Sequence, residues 1–129
     1  MALPAKLQND IKQFQRIQQD LGAMDQQRVQ LDLKLREVTH TLEEIQRLPA
    51  DATVYRPIGS LMIRAKDRKE VEDLLTEDKE TLEVRLKAIE RQENSLKERY
   101  TTMQRDLTEQ LQAAQMTGGA PSRSSAPSE

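Results

Sequence analysis

The architecture of this protein follows from eighteen central residues, PADATVYRPIGSLMIRAK (residues 49–66). Residues 53–55 (TVY) and residues 61–63 (LMI) are of the β-branched, aromatic and apolar types that favour strands. Between them, residues 57–60 (PIGS) predict a turn in which Gly59 takes a positive φ. The segment therefore predicts one β-hairpin.

A hairpin of this size is marginally stable in water when it stands alone. Its two outer edges also carry unpaired backbone groups that invite pairing with further strands. We therefore expect the hairpin to complete a sheet together with other chains.

On both sides of this segment, apolar residues recur with the 3.5-residue spacing of a coiled coil. Ten of twelve seam positions are apolar in the N-terminal stretch, and nine of twelve in the C-terminal stretch. The N-terminal rows are Leu7, Phe14, Leu21, Arg28, Leu35, Leu42 and Asp10, Ile17, Met24, Leu31, Val38, Ile45. The C-terminal rows are Leu75, Leu82, Ile89, Leu96, Met103, Gln110 and Lys79, Leu86, Glu93, Tyr100, Leu107, Ala114. The pattern predicts two long helices that pair along a narrow seam.

The ends of these helices carry recognisable signals. Pro4 suits the first position of a helix, and Pro49 disfavours helical geometry at the residue before it. Asp67 followed by Glu70 predicts a capping box at the start of the second helix. We therefore divide the chain into arm one (residues 4–48), the hairpin (49–66), arm two (67–116) and a tail (117–129). The tail is rich in Pro, Ser and Ala and is predicted to be disordered.

The hairpin segment between the two arms is short, which predicts that the arms fold back on each other in antiparallel fashion. If Ile45 lies near Leu75, the sequence numbers of any two residues that face each other across the seam add up to about 120. Asp10 then falls near Gln110 and Arg28 near Glu93, so that polar interruptions of the two seams meet, and we predict that Arg28 and Glu93 interact. Lys79 is the exception, because it falls near Leu42. A slip by about half a heptad is also compatible with the pattern.

The composition excludes several classes of protein. The formal net charge is -2, which predicts no general attraction to nucleic acid. There is no cysteine, which fits a reducing cytoplasm and leaves no thiolate for metal binding. The N-terminus lacks a signal-peptide pattern, and apolar runs are far too short to span a membrane.

No set of residues predicts an active site, a metal site or a cofactor site. His40 lies at an outer heptad position, and it is the sole histidine, so no second imidazole shares a metal with it. The acidic pairs Glu43–Glu44 and Glu72–Asp73 are adjacent on helices, where neighbouring side chains do not face each other. We interpret these residues as solvated surface groups and predict that the protein is not an enzyme.

The two outer ends of the arms are rich in apolar residues. Antiparallel pairing brings the start of arm one and the end of arm two to one free tip, away from the hairpin. The tip residues are Leu3, Leu7, Ile11, Phe14, Leu107, Leu111 and Met116. One interpretation is an ordinary seam with frayed ends. The other is a flexible apolar groove for exposed hydrophobic segments, a role that suits the adaptable side chain of Met.

Two segments carry a resemblance to a known family. Residues 51–64 (DATVYRPIGSLMIR) and residues 90–96 (ERQENSL), flanked by the heptads, resemble the β class of the prefoldin family in its archaeal form. The resemblance extends over residues 5 to 116. A single hairpin between the helices is typical of the β class, whereas the α class has two.

The resemblance implies a mainly α fold: an antiparallel two-helix coiled coil whose single β-hairpin assembles into an intersubunit β-barrel. It implies a hetero-hexamer of two α and four β subunits, with no cofactor. The residues implied in subunit assembly are Val54, Tyr55, Ile58, Gly59, Leu61 and Ile63. The tip residues are implied to hold unfolded client proteins, which are delivered to a group II chaperonin.

The predicted function is therefore that of an ATP-independent holdase subunit in the cytoplasm, with neither nucleic acid nor membrane as a partner. Weak binding at several tips of one platform gains avidity for one unfolded client. The alternative is a structural coiled-coil adaptor or assembly scaffold, in which the tips are inert and the hairpin docks a fixed partner. Truncation of the tip distinguishes the two, because a holdase should lose client capture while keeping its assembly.

Overall fold

The computed structural model describes residues 3–116, and the predicted disordered tail lies outside the described residues. Two long helices flank two short strands along the chain, as the sequence predicts. The elements are α1 (Ala5–Gln46), β1 (Tyr55–Ile58), β2 (Leu61–Arg64) and α2 (Arg68–Ala114). The two strands form one antiparallel sheet. The predicted mainly α fold with a single hairpin is therefore confirmed.

Helix α1 ends two residues before the predicted end of arm one. Its last turn tightens, since the Arg47 amide donates to the Glu44 carbonyl at 3.2 Å and the Leu48 amide donates to the Ile45 carbonyl at 3.0 Å. Such i to i−3 bonds satisfy carbonyls that a regular helix leaves open at its end. Pro49 then prevents the helix from continuing.

Helix α2 begins with the predicted cap, in a shifted form. The Glu70 amide donates to Asp67 Oδ1 at 2.9 Å, as expected for an N-cap. The Glu70 carboxylate reaches back one residue further than in a standard capping box and accepts from the Lys66 amide at 2.7 Å. One backbone amide of the first turn of α2 and one amide that precedes the helix are thereby satisfied.

Arg68 joins the two helices where they flank the hairpin. Its guanidinium donates to the Leu48 carbonyl just beyond α1. It also forms an ion pair with Glu72 on α2, with Nε and Oε1 at 2.9 Å. A planar guanidinium has enough donors to make both contacts at once. The chain entering the hairpin is therefore tied to the helix that leaves it.

The heptad pattern predicts burial well. All 24 positions of the four rows are buried or half-buried. The buried apolar members are Leu7, Ile17, Leu42, Ile89, Leu96 and Leu107. Glu93, a polar member of an α2 row, is also buried at 4% exposure. The core is thus a narrow seam.

The chain divides into two compact units. The first unit contains residues 3–24 and 92–116 of the described chain. In it, the rings of Phe14 and Tyr100 stack with centroids 4.8 Å apart, and Gln110 Nε2 donates to Asp10 Oδ2 at 3.2 Å. Numbers rise along α1 as they fall along α2, so the segments are antiparallel. The sequence numbers of the two residues in each contact add up to 114 for Phe14 with Tyr100 and to 120 for Asp10 with Gln110. The predicted register is therefore confirmed to within one heptad.

The second unit contains residues 25–91 and includes the hairpin. Ile45 and Leu75 line the same groove, and Val38 and Leu82 line another. The two helical segments therefore also run antiparallel within this unit, and the shared groove of Ile45 and Leu75 agrees with the predicted register.

The hairpin is confirmed, but its first strand lies further along the chain than predicted. We predicted a strand at residues 53–55 and a turn at 57–60, whereas β1 is Tyr55–Ile58 and the turn is Gly59–Ser60. Tyr55 pairs with Arg64, and Ile58 pairs with Leu61. Gly59 has φ +61°. A glycine with positive φ at the first position of a two-residue turn closes a tight hairpin, so residues 57 and 58 remain in the strand.

Candidate functional site

The hairpin presents its apolar side chains to solvent. The exposed members are Tyr55, Ile58, Leu61, Met62 and Ile63. Leu61 is 63% exposed and Met62 is 65% exposed. Single exposed apolar residues are common, but five within ten residues of one hairpin form a patch that indicates an interaction surface.

Strand alternation distributes this patch over both faces of the hairpin. The paired residues Ile58 and Leu61 share one face with Ile63. Met62 lies on the opposite face, next to its cross-strand partner Pro57. Four of the predicted assembly residues, Tyr55, Ile58, Leu61 and Ile63, are exposed, while Val54 is half-buried. Gly59 serves the turn.

Met62 is not among the residues that the sequence predicts for assembly, although it is among the most exposed apolar residues of the hairpin. The signal was present, because residues 61–63 form an unbroken apolar run. Such a run predicts a strand with apolar groups on both faces, as in strands that become buried on both sides.

A groove of about 540 Å³ lies within the second unit, between the hairpin and the helices. Residues Tyr55 to Ile58 of β1 form one wall. Ile45 from α1 and Leu74 and Leu75 from α2 contribute apolar walls. The groove thus continues the apolar patch of the hairpin onto the helices.

The second candidate site consists of the tip residues, and all of them lie in the first unit. The structure separates them by burial. Leu7 and Leu107 are buried at 2% and 7% exposure, whereas Leu3, Leu111 and Met116 are exposed. Buried seam residues hold the helices together, so the surface available for contact is the exposed set.

The remaining tip residues have intermediate roles. Ile11 is half-buried, and Phe14 is half-buried in its stack with Tyr100. Offset aromatic stacking at this distance stabilises the pairing beyond simple area burial. Tyr100 was recognised as a seam position, but its contact with Phe14 was not predicted, because that contact depends on the register of the two helices.

Asp10 makes a polar contact between the two helices close to the tip residues. The amide of Gln110 donates to its carboxylate at 3.2 Å, and the Lys6 ammonium lies at 3.2 Å from the same oxygen. The hydrogen bond from Gln110, followed by that from Lys6, lowers the pKa of Asp10 below its ordinary value of 3.8. These contacts favour the charged form of the carboxyl group.

A lowered pKa makes the stability of the protein dependent on pH. The contribution of the Asp10 carboxylate to the free energy of unfolding is complete above pH 3.8. It is lost as the pH falls through the lower pKa that Asp10 has in the folded state. We expect Asp10→Asn to melt at a lower temperature than the wild type at pH 7, and this difference to shrink as the pH falls below 3.8. Melting curves across this pH range, followed by circular dichroism, measure the effect.

The control for this prediction is Asp20→Asn, which makes the same change at an exposed position of α1. Its melting temperature should stay close to that of the wild type at both pH values. A difference between Asp10→Asn and wild type that does not change with pH would contradict the assigned role of the carboxylate.

Within residues 3–116, no group of three or more potential metal ligands is found. In the same part of the chain, neither helix is long and apolar enough to cross a membrane. The features that stand out are therefore the apolar hairpin and the exposed tip residues.

Comparison with known proteins identifies the family. A family model described as "Prefoldin subunit" matches residues 8–114. The chain belongs to the prefoldin family. It is thus a subunit of a chaperone and not an enzyme, as predicted.

Individual relatives agree with this assignment. The chain is 38% identical over 105 residues to a prefoldin subunit beta of Archaeoglobus fulgidus, covering 81% of this chain and 90% of the relative. It is 40% identical over 112 residues to that of Methanosarcina acetivorans, covering 87% and 92%. The crystal structure of the prefoldin beta subunit from Thermococcus strain KS-1 superposes with a TM-score of 0.77 at 35% identity, covering 84% of this chain and 94% of that one. The match to the β class predicted from residues 51–64 is confirmed.

Proposed function

We propose that this chain is an ATP-independent holdase subunit of a cytoplasmic prefoldin complex. Four copies assemble with two α-class subunits through their hairpins, which join in a β-barrel. The tip residues bind unfolded proteins, and the complex delivers them to a group II chaperonin. Neither nucleic acid nor a membrane takes part.

The observation that carries this proposal is the exposure of Leu3, Leu111 and Met116 in the first unit. Met116 is 72% exposed, and Leu3 and Leu111 are each 39% exposed. With the register given by the two contacts of this unit, Leu3 lies level with the C-terminal end of α2. An unfolded client gains free energy by covering such apolar side chains, and no chemical step is required.

Each tip offers a small apolar surface, so one tip binds weakly. Several tips on one platform raise the effective concentration for a client that touches more than one of them. The conformational freedom of the Met116 side chain lets it adapt to different client sequences. This combination suits recognition of unfolded chains that share only exposed apolar groups.

The test is aggregation of a denatured client, diluted without ATP into the complex of this chain with an α-class subunit. The informative variant replaces the three exposed tip residues with serine: Leu3→Ser, Leu111→Ser and Met116→Ser. Since these residues contribute little to the seam, the complex should remain intact. We expect half-maximal protection to require several times more complex than with the wild type, measured by light scattering.

A matched control makes the same number of changes outside the tip: Val29→Ser, Leu33→Ser and Val84→Ser, all at exposed positions of the helices. This variant should protect the client as well as the wild type does. Equal protection by the tip variant would overturn the assignment of the tip residues. A wild-type complex of hexameric mass that gives no protection would favour the structural adaptor instead.

A further inference from the structure

The hairpin is attached to the helices by two connections of unequal length. Residues 47–54 lead from α1 to β1, and residues 65–67 lead from β2 to α2. The short connection is held in place by the cap contacts of Asp67 and Glu70 and by the burial of Ala65. The longer connection has considerable conformational freedom unless further contacts restrict it.

Arg68 restricts the longer connection at its start. The guanidinium donates from Nη1 to the carbonyl of Leu48, which is 20 residues away in the chain. At the same time its Nε forms the ion pair with Glu72 Oε1 at 2.9 Å. At the other end of the connection, the Ala65 amide donates to the Val54 carbonyl at 2.9 Å. Both ends of the longer connection are therefore anchored.

The contacts of Arg68 differ from those of an ordinary ion pair on a helix surface. The side chains of Arg68 and Glu72 are 26% and 20% exposed, and the Oε1 atom of Glu72 is shielded from solvent. A carboxylate oxygen that is withdrawn from water needs a charged partner, because its desolvation is costly. Glu72 therefore holds the guanidinium in place, and the guanidinium reaches Leu48 with a separate N–H.

This anchoring bears on assembly because the hairpin offers two outer edges. In the proposed β-barrel both edges pair with strands of neighbouring subunits, so the direction of the hairpin must suit two neighbours at once. A hairpin that is already held in this direction loses little conformational freedom on assembly. A hairpin that samples many directions binds more weakly, in proportion to the fraction of molecules that have the competent direction.

We propose that Arg68 is a positioning residue for assembly. By holding the Leu48 carbonyl and the Glu72 carboxylate at the same time, it fixes the direction in which the hairpin leaves the helices before other subunits bind. The side chain acts through the hairpin and does not need to touch a neighbouring subunit. The inference rests on the proposed assembly through the hairpins and adds to it the residue that orients them.

The test replaces Arg68 with glutamine, which removes the guanidinium and keeps a polar side chain. The chain contains no cysteine. Spin labels can therefore be attached at two introduced cysteines, Ser60→Cys in the turn and Glu83→Cys at an exposed position of α2. Pulsed electron paramagnetic resonance then measures the distribution of distances between hairpin and α2 in the unassembled chain. We expect Arg68→Gln to broaden this distribution.

The second readout is the affinity of the unlabelled chain for an α-class subunit, measured by titration calorimetry. We expect Arg68→Gln to lower this affinity about fivefold, because a smaller fraction of its hairpins has the competent direction. Arg36→Gln is the matched control. Arg36 forms an ion pair with Asp32 at the same i to i+4 spacing and at 3.0 Å, but both residues lie on α1. This variant should keep the wild-type distance distribution and affinity.

A second variant, Arg68→Lys, covers the case in which Arg68→Gln does not fold. It keeps a positive charge beside Glu72, but it lacks the planar fork that serves two acceptors in fixed directions. It should therefore change both readouts in the same sense as Arg68→Gln. Wild-type distances and affinity in Arg68→Lys would then overturn the proposed role.

The outcomes separate the positioning role from the proposed assembly. If the wild type binds an α-class subunit and Arg68→Gln binds it equally well, the positioning role alone is overturned. Weaker binding with an unchanged distance distribution would also overturn it, because Arg68 would then act by another route. A wild-type chain that does not bind an α-class subunit would overturn the proposed assembly and the positioning role with it.

Discussion

Replacing Leu61 and Ile63 together with aspartate is expected to abolish assembly with an α-class subunit. Both side chains are exposed in the single chain and lie on the same face of the hairpin. In the proposed barrel this face becomes buried against neighbouring strands. Each carboxylate placed in such an interface costs about 3 kcal/mol or more. Two of them therefore lower the affinity by more than about 10⁴-fold.

Size-exclusion chromatography with light scattering measures this loss directly. The matched control is Val29→Asp with Leu33→Asp on α1. These residues are 43% and 58% exposed, close to the 40% and 63% of Ile63 and Leu61. The control adds the same charge to a surface of similar exposure outside the hairpin and should assemble normally. A hexamer formed by the hairpin variant would show that assembly uses another surface.

Shortening Leu42 to alanine is expected to destabilise the chain by about 2–3 kcal/mol, near the lower end of the range for large-to-small substitutions in cores. Leu42 is a seam residue of α1 and is 8% exposed. Its loss removes apolar contacts and leaves a cavity. A seam open to solvent along its sides relaxes more easily than a globular core, which limits the cost.

Leu33→Ala is the control, since it makes the identical change in the same helix at a residue that is 58% exposed. Its effect should stay within about 0.5 kcal/mol. Urea unfolding followed by helical circular dichroism measures both variants. A similar loss in both would contradict the assigned role of Leu42 in the seam.

The helices show how much a repeating pattern reveals. Every seam position assigned from the heptad spacing is buried or half-buried, including polar members such as Asp10 and Glu93. This prediction succeeds because helix geometry brings residues seven apart onto one stripe irrespective of the partner helix. The contact between Asp10 and Gln110 followed from pairing the polar interruptions of the two seams.

The hairpin shows where a local pattern is insufficient. The β-branched and aromatic residues at 53–55 suggested the first strand, and Pro57 suggested the turn. In the structure Pro57 belongs to β1. A proline is compatible with a strand when its missing N–H would point outward, and that depends on which residues pair across the hairpin. The pairing depends in turn on the two-residue turn at Gly59.

The candidate sites divide in the same way. Apolar residues at the ends of the arms and in the hairpin are visible in the sequence, and so is the family. Which of them stay accessible is a property of the folded chain: Leu7 and Leu107 are enclosed in the seam, whereas Leu3, Leu111 and Met116 are exposed. The repeat spacing, the helix-ending prolines and the turn glycine are local, so they were readable along the chain. Accessibility arises when distant segments pack together, so it had to be seen in the structure.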